Sequence, residues 1–153
     1  TLYQKHYNLK ATIVRFYNVY GPYQLEDGGY CTLIGIWLKA LREGRKLNIF
    51  GDGEQRRDFT HIHDIIDALV KIQNQDAWGY EFELGRGINF SINEIANMLN
   101  CLPNNIKYHP QRPGEARETL NTDTKAKEIL GWGAKINLED YLKSEVDYLK
   151  SYL

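Results

Sequence analysis

Residues 9–20 constrain the fold more than any other part of the sequence. Positions 11–16 read Ala-Thr-Ile-Val-Arg-Phe, a β-branched and nearly continuous apolar run. Strands that are covered on both faces have this composition, whereas half-exposed strands alternate apolar with polar residues. The run leads to Asn18 and then to Gly21 and Pro22, a pair that ends a strand and starts a loop. The segment therefore predicts a buried strand of a parallel sheet in an α/β fold.

The rest of the chain predicts short strands and helices in alternation. Apolar residues at helical spacing predict helices over 31–43, 64–75, 91–100, 124–130 and 138–152. Short β-branched or alternating runs predict strands at 47–50, 57–62, 80–84, 88–90 and 106–109. Ser91 and Glu94 form the Ser-x-x-Glu pattern of a capping box, and Asp64, Asp123 and Asn137 stand where helix caps are expected.

Length, composition and charge limit the classes of protein to which this chain can belong. A chain of 153 residues predicts one compact domain. A hydrophobic fraction of 42% is typical of a soluble globular domain, and a formal charge of −1 gives no overall electrostatic attraction to nucleic acid or to an anionic membrane. Cys31 and Cys101 lie far apart and show no metal-binding spacing, and the first residues lack the order of a signal peptide. We therefore expect reduced thiols, a cytoplasmic location and no metal site.

Polar residues gather in three segments, at 15–22, 50–58 and 111–115. Asn18 directly follows the buried strand, at the end where α/β sheets open into their ligand crevice. Arg56 and Arg57 are adjacent, so only one of them can face inward from an extended chain. Arg112 and Glu115 flank a Pro-Gly turn, where one ligand could meet a cation for phosphate and an acceptor for ribose hydroxyls.

Each of these residues also has an ordinary structural explanation. The Asn18 side chain could bond its own backbone in a turn, and the charges beside the Pro-Gly turn could simply be solvated. Arg57 could pair with Asp58, or Arg56 with Glu54, on the surface. His61 and His63 form a His-x-His pattern without a third ligand, which favours structural histidines over a metal site.

Five short motifs, taken together, resemble the extended short-chain dehydrogenase/reductase family of nucleotide-sugar epimerases and dehydratases. They stand in the family's order and spacing at residues 15–22 (RFYNVYGP), 49–53 (IFGDG), 57–64 (RDFTHIHD), 112–115 (RPGE) and 130–132 (LGW). The stretch 28–37 (GGYCTLIGIW) further resembles the 4-epimerase branch. The resemblance spans nearly the whole chain.

The resemblance implies a parent enzyme with an amino-terminal Rossmann domain that holds NAD and a carboxy-terminal lobe that closes over a UDP-sugar. Residues 1–22 would be the remnant of the Rossmann domain, and residues 23–153 the mixed α/β nucleotide-sugar-binding lobe. A strand and helix at about 58–75 would return to the Rossmann sheet. The implied reaction is 4-epimerisation of a UDP-hexose, glucose or galactose or their N-acetyl forms, by transient oxidation at C4. The parent would be a homodimer.

The family's functional residues carry over to ten positions. Phe16 and Tyr17 would line the nicotinamide and sugar region. Substrate contacts are implied at Asn18 for phosphate, Leu33 and Ile34 at the helix start, Asn48 and Phe50 beside uracil, Arg57 for diphosphate, and Arg112 with Glu115 for phosphate and ribose. Thr119 stands where some epimerases have a tyrosine.

The family's catalytic signals do not occur in this sequence. There is no Tyr-x-x-x-Lys pair and no glycine-rich dinucleotide loop of the GxxGxxG or GxGxxG type. We therefore expect no catalytic residue in this chain, a truncation within the fold and no activity of the chain alone. A 4,6-dehydratase, a UDP-glucuronate decarboxylase and an inactive nucleotide-sugar-binding fragment stay open as alternatives, because the same lobe would serve each of them.

Overall fold

The computed structural model describes residues 2–151 and has an α/β architecture. These residues form six helices and eight strands. The helices are α1 (Leu2–Tyr7), α2 (Leu33–Arg42), α3 (Ile62–Asn74), α4 (Ile92–Met98), α5 (Lys125–Leu130) and α6 (Leu138–Lys150). The strands are β1 (Ile13–Phe16), β2 (Val19–Tyr20), β3 (Leu47–Phe50), β4 (Arg56–Asp58), β5 (Thr60–His61), β6 (Glu81–Leu84), β7 (Asn89–Ser91) and β8 (Ile106–His109). A short 3-10 turn, Pro103–Asn105, precedes β8.

The strands pair two by two. Three pairs are parallel: β1 with β6, β2 with β5, and β3 with β8; the fourth, β4 with β7, is antiparallel. Asn18 lies between β1 and β2, with a positive φ of 29° that asparagine tolerates better than most residues. Within residues 2–151, β1 pairs on one edge only and most of its side chains are exposed, so the prediction that this strand is covered on both faces is wrong for the described residues.

Two hydrophobic clusters hold these elements together. The larger cluster joins α2, β3, α4 and α6 around fully buried side chains such as Trp37, Leu47 and Ile95. The second cluster packs α3 and α5 against β6, with Ile65, Phe82 and Leu84 at its centre. The smaller cluster thus covers one face of β6, the strand that pairs with β1.

The predicted division of the chain into residues 1–22 and residues 23–153 stays a prediction. The strand in the segment 58–75 is β5, which pairs in parallel with β2 inside residues 1–22, and β6 pairs in parallel with β1. Helix α3 connects β5 to β6 and packs in the same cluster as β6.

The helix boundaries follow the predicted caps closely. Ser91 and Glu94 form the expected capping box at the start of α4, and the Asn137 side chain accepts from the Glu139 backbone N–H at the start of α6. Helix α3 begins earlier than predicted, because His61 rather than Asp64 caps it. The predicted end of the last helix, at position 152, lies outside the described residues. No helix among residues 2–151 is both long and apolar enough to cross a membrane.

Candidate functional site

A cavity of about 540 Å³ lies between α2, β3 and β4. Its wall combines apolar side chains of the lobe core with a few polar and charged groups, which is the usual character of a small-ligand site. Seven of the eight predicted substrate-contact residues line it: Asn18, Leu33, Asn48, Phe50, Arg57, Arg112 and Glu115. The three polar segments that are remote in sequence therefore meet at one place.

Asn18 reaches the cavity from the carboxyl end of β1. One hydrogen of its side-chain amide is donated to the Asp58 carbonyl oxygen at 2.7 Å. This bond fixes the amide on the β4 segment, and Asn18 is one of the residues that line the cavity. The side chain therefore does not bond its own backbone in a turn, the structural alternative considered from the sequence, and Asn18 is both a tie to β4 and a candidate ligand group.

The adjacent arginines point in different directions, as expected for neighbours on a strand. Arg56 turns away from the cavity, donates to Asn89 at 2.9 Å and forms an ion pair with Glu94 at 2.9 Å. Arg57 faces the cavity, donates to the Arg56 carbonyl oxygen at 2.8 Å and pairs with Glu115 at 3.2 Å. Asp58 and Glu54, the surface partners considered from the sequence, therefore do not pair with these guanidinium groups.

Phe50 carries an aromatic stack at another side of the cavity. The guanidinium carbon of Arg112 lies 3.8 Å from the centre of the Phe50 ring, in a cation–π arrangement. The His109 ring stacks on Phe50 with centroids 4.9 Å apart, and His109 Nε2 lies 2.8 Å from Asn48 Oδ1. Asn48 and Phe50 share one face of β3 because they are two residues apart.

Ile34 is placed differently from its predicted role in substrate contact. Its side chain is 0% exposed and packs in the larger core cluster. The cavity instead meets Leu33, Ile36 and Trp37, which lie three and four residues apart and so share one helix face. Ile34 is about 100° further around α2, which directs it into the core.

Phe16 and Tyr17, the predicted cofactor neighbours, lie at the carboxyl end of β1. The Phe16 ring is 50% exposed. The Tyr17 hydroxyl donates to the Glu83 carboxylate, and this bond together with partial burial raises the pKa of Tyr17 to about 12. Tyr17 therefore stays protonated near neutral pH and is not suited to act as a base.

Asp58, the residue that follows Arg57 in β4, carries a buried carboxylate. Asp58 is 0% exposed and accepts three backbone N–H groups, from Arg86 at 2.9 Å, Gly87 at 2.9 Å and Asn121 at 3.0 Å. These donors come from the turn after β6 and from the segment after residue 118. Asp58 thus ties three parts of the chain together at the position that follows Arg57 in β4.

Several cavity residues were not predicted from the sequence. Cys31 and Thr32 line the cavity just before α2, and Gln55 donates to the Phe50 carbonyl oxygen at 2.8 Å. A smaller cavity of about 230 Å³, lined by the loop at 19–25, shares Thr32 with the larger one. Gly35 allows this loop to lie against α2, since a Cβ at that position would collide with the Leu25 carbonyl oxygen. Nothing in the local sequence distinguishes Cys31, Thr32 and Gln55, because only the folded chain brings them to the wall of the cavity.

The two histidines of the His-x-His pattern serve the structure of α3. His61 is buried, and its Nδ1 accepts the His63 backbone N–H at 3.1 Å, so the proton of the neutral ring resides on Nε2. The His61 ring packs against Tyr20, His63 and Tyr141. No cluster of three or more metal-ligating side chains is present among residues 2–151.

Acidification is expected to destabilise the protein through His61. Burial, followed by the neighbouring His63, lowers the pKa of His61 below its usual value near 6.5. A histidine whose folded-state pKa is depressed supports the fold fully above the unfolded-state pKa, and this support is lost as the pH falls below that value. The thermal midpoint should therefore fall between pH 7.5 and pH 5, and His61→Asn, which keeps a capping acceptor, should flatten that fall. An unchanged pH dependence in this variant would contradict the role of His61.

Comparison with known proteins agrees with this geometry. Residues 1–85 match the model of the NAD dependent epimerase/dehydratase family. UDP-glucose 4-epimerase of Mycolicibacterium smegmatis is 31% identical over 98% of this chain and 49% of its own length. UDP-glucuronic acid decarboxylase 2 of Arabidopsis thaliana is 32% identical over 92% of this chain and 32% of its own. The crystal structure of UDP-glucose 4-epimerase from Thermotoga maritima with UDP-glucose superimposes with a TM-score of 0.83 at 31% identity, over 99% of this chain and 49% of that one.

The chain belongs to the NAD-dependent epimerase/dehydratase family, because the family model matches more than half of its residues. The α/β fold with parallel strand pairs is the fold expected from the sequence. The chain spans about half the length of the UDP-glucose 4-epimerases to which it is similar.

Proposed function

We propose that this chain forms the UDP-sugar-binding part of an NAD-dependent UDP-hexose 4-epimerase. The observation that carries the proposal is the meeting of Asn18, Arg57, Arg112 and Glu115 in one cavity of about 540 Å³. Two arginines in a partly apolar cavity suit a diphosphate, because the guanidinium fork stays charged and makes two parallel hydrogen bonds to phosphate oxygens.

The positions of these side chains suggest how such a ligand would lie. The diphosphate would lie at Arg57 and Arg112, and the ribose hydroxyls would donate to Glu115. The base would lie against the Phe50 face that Arg112 now covers, with Asn48 beside it. The sugar would then extend towards Asn18 at the end of β1.

NAD would be held mainly by a segment that this sequence does not contain. The exposed Phe16 ring at the end of β1 fits a flat nicotinamide, but the glycine-rich loop that binds a pyrophosphate does not occur in the 153 residues. NAD, when bound, would supply the transient oxidation at C4 of the sugar. The chain itself would bind and orient the sugar nucleotide, and the Tyr-x-x-x-Lys pair would come from the same additional segment.

Exposed apolar side chains mark where that segment would pack. The face of α3 exposes Ile66, Leu69 and Val70, which are three and four residues apart, and β1 has an unpaired edge within the described residues. We propose that an NAD-binding Rossmann half continues the sheet at this edge and covers α3. The assembled enzyme would be a cytoplasmic homodimer.

A second reaction on the same lobe has support from the comparisons. The UDP-glucuronic acid decarboxylase of Arabidopsis is 32% identical to this chain, against 31% for the Mycolicibacterium epimerase, over a somewhat smaller share of the chain. A decarboxylase or a 4,6-dehydratase would use the same nucleotide cavity with different groups at the sugar. An inactive fragment that only binds the nucleotide sugar is the remaining alternative.

Calorimetric titration of the chain with UDP, UDP-glucose and NAD tests the proposal. We expect UDP and UDP-glucose to bind with a dissociation constant in the micromolar range, NAD to bind at least about 100-fold more weakly, and no turnover of UDP-glucose. The reason is that this chain contains the arginines that would bind the diphosphate, whereas it does not contain a glycine-rich dinucleotide loop. Failure to bind UDP would contradict the proposed site, and turnover by the chain alone would contradict the assignment of catalysis to another segment.

A further inference from the structure

The loop between β8 and the segment 117–119 carries Arg112 and Glu115, two of the groups that line the cavity. Residues 110–116 read Pro-Gln-Arg-Pro-Gly-Glu-Ala, and all of them are exposed except Glu115, which is half-buried. A segment that buries so little apolar surface opens easily, because few contacts hold it closed. The position of Arg112 therefore depends on how the two ends of this loop are fixed.

Backbone hydrogen bonds fix both ends of the loop. At the first end, the Gly51 N–H donates to the His109 carbonyl oxygen at 2.9 Å and so continues the pairing of β3 with β8. At the second end, the Arg56 N–H donates to the Arg117 carbonyl oxygen at 2.9 Å, and the Thr119 N–H donates to the Arg56 carbonyl oxygen at 3.1 Å. The loop thus runs from the β3–β8 pair to the edge of β4.

An ion pair joins the second end of the loop to the turn between β3 and β4. The Arg117 guanidinium donates to both carboxylate oxygens of Asp52, at 2.7 Å and 3.0 Å. Two parallel bonds of this kind fix the orientation of the partners as well as their distance. The Arg117 guanidinium, followed by the Glu54 backbone N–H, lowers the pKa of Asp52 to about 2, so this carboxylate stays charged near neutral pH.

The turn that carries Asp52 is itself firmly fixed. Asp52 Oδ1 accepts the Glu54 N–H at 2.9 Å. The Asn93 side-chain amide donates to the Asp52 carbonyl oxygen at 3.0 Å, and the Asn93 N–H donates to the Gly53 carbonyl oxygen at 3.0 Å. A Cβ at Gly53 would collide with the Asn93 side chain, so the turn lies directly against the start of α4. Through Asp52, Arg117 is therefore tied to a helix rather than to another loop.

The Asp52–Arg117 pair differs from the contacts that the loop makes inside the cavity. Among the described residues, those that line the cavity do not include Asp52 or Arg117. The proposed ligand would replace the contacts inside, because its diphosphate would take the guanidinium groups of Arg57 and Arg112 and its base would take the face of Phe50. The backbone bonds at the two ends and the Asp52–Arg117 pair are then the contacts that continue to hold the loop.

We propose that Asp52 and Arg117 form a positioning pair that holds Arg112 in place for the diphosphate of the ligand. The pair contributes to binding without touching the ligand, because a loose loop would have to be ordered each time a nucleotide binds. Exposed ion pairs are weak, so the expected effect on affinity is several-fold and not larger. The inference rests on the proposed function, because it assumes that Arg112 binds the diphosphate.

The test uses two variants that change the charge in opposite directions. Arg117→Met removes a positive charge, whereas Asp52→Asn removes a negative charge and keeps an acceptor for the Glu54 N–H. We expect both variants to bind UDP about fivefold more weakly than the wild type in calorimetric titration. Net charge alone would instead make Asp52→Asn bind the anion more tightly. Tighter or unchanged binding of UDP by this variant would overturn the proposal.

A control and a double variant separate positioning from a general loss of structure. Arg45→Met is the matched control, because it breaks another exposed ion pair, with Glu43, and should leave UDP affinity within about twofold of the wild type. The thermal midpoints of all these single variants should stay within about 3 °C of the wild type. In an Arg112→Met background, Arg117→Met should change UDP affinity by less than about twofold, because the pair acts through Arg112. A full fivefold loss in that background would contradict this role.

Hydrogen exchange of the free protein tests the same pair without a ligand. In Arg117→Met, the Arg56 and Thr119 N–H groups, which join the end of the loop to β4, should exchange about fivefold faster than in the wild type. The N–H groups within the β3–β8 pair should exchange at the wild-type rate. Unchanged exchange at Arg56 and Thr119 would overturn the positioning role. Failure of the wild type to bind UDP would instead contradict the proposed function, and the exchange rates would still decide whether the ion pair holds the loop.

Discussion

Replacing Arg57 with methionine is expected to weaken UDP binding by at least about 100-fold, the largest effect of any single cavity substitution. The change removes a partly enclosed guanidinium that would bind the diphosphate, and it leaves Glu115 as an uncompensated negative charge in the cavity. Both consequences oppose an anionic ligand. Calorimetric titration of the folded variant with UDP measures the effect.

Arg56→Met is the matched control for this prediction. It removes the same charge from the adjacent position, but its guanidinium contacts Asn89 and Glu94 away from the cavity. We expect the affinity of this variant for UDP to stay within about threefold of the wild type, since rim and surface charges act weakly. Equal losses in the two variants would show that net charge, rather than the position of Arg57, governs binding.

Asp58→Ala should lower the free energy of unfolding by about 3 kcal/mol or more. The buried carboxylate accepts three backbone N–H groups, which alanine would leave without acceptors inside the protein. Because the donors belong to separate segments, the loss should also loosen the wall that carries Arg57. Urea denaturation followed by tryptophan fluorescence gives the change in stability.

Asp67→Asn provides the comparison for Asp58. Asp67 lies on the exposed side of α3, so its neutralisation should change the free energy of unfolding by no more than about 0.5 kcal/mol. A loss of stability in Asp58→Ala that is no greater than this would mean that water or a local rearrangement satisfies the three N–H groups. The role of Asp58 as a tie between segments would then be wrong.

Local chemistry in the sequence predicted most of the elements that build the site. The strands at 47–50 and 106–109 have the predicted bounds, since each is a short run of apolar and polar residues with a turn or loop on both sides. The capping box at Ser91 fixed the start of α4. Strand alternation also required that only one of Arg56 and Arg57 face the cavity, and the structure places Arg57 there.

Features that depend on long-range contacts could not be predicted in this way. The family resemblance implies a substrate contact at Ile34, but the packing of α2 on the rest of the fold buries this side chain in the larger core cluster. The pairing of β1 with β6 and the contact between Arg57 and Glu115 join residues more than 50 positions apart. Asp58 likewise gave no sign in the sequence that its carboxylate would be buried among three backbone donors.

A crystal structure of this chain with UDP-glucose bound tests the central claim most directly. The account predicts that the diphosphate oxygens lie within hydrogen-bond distance of Arg57 and Arg112, with Asn18 beside the glycosyl phosphate and a ribose hydroxyl on Glu115. UDP-glucose bound at another surface, or bound in this cavity without contact to Arg57 and Arg112, would contradict it.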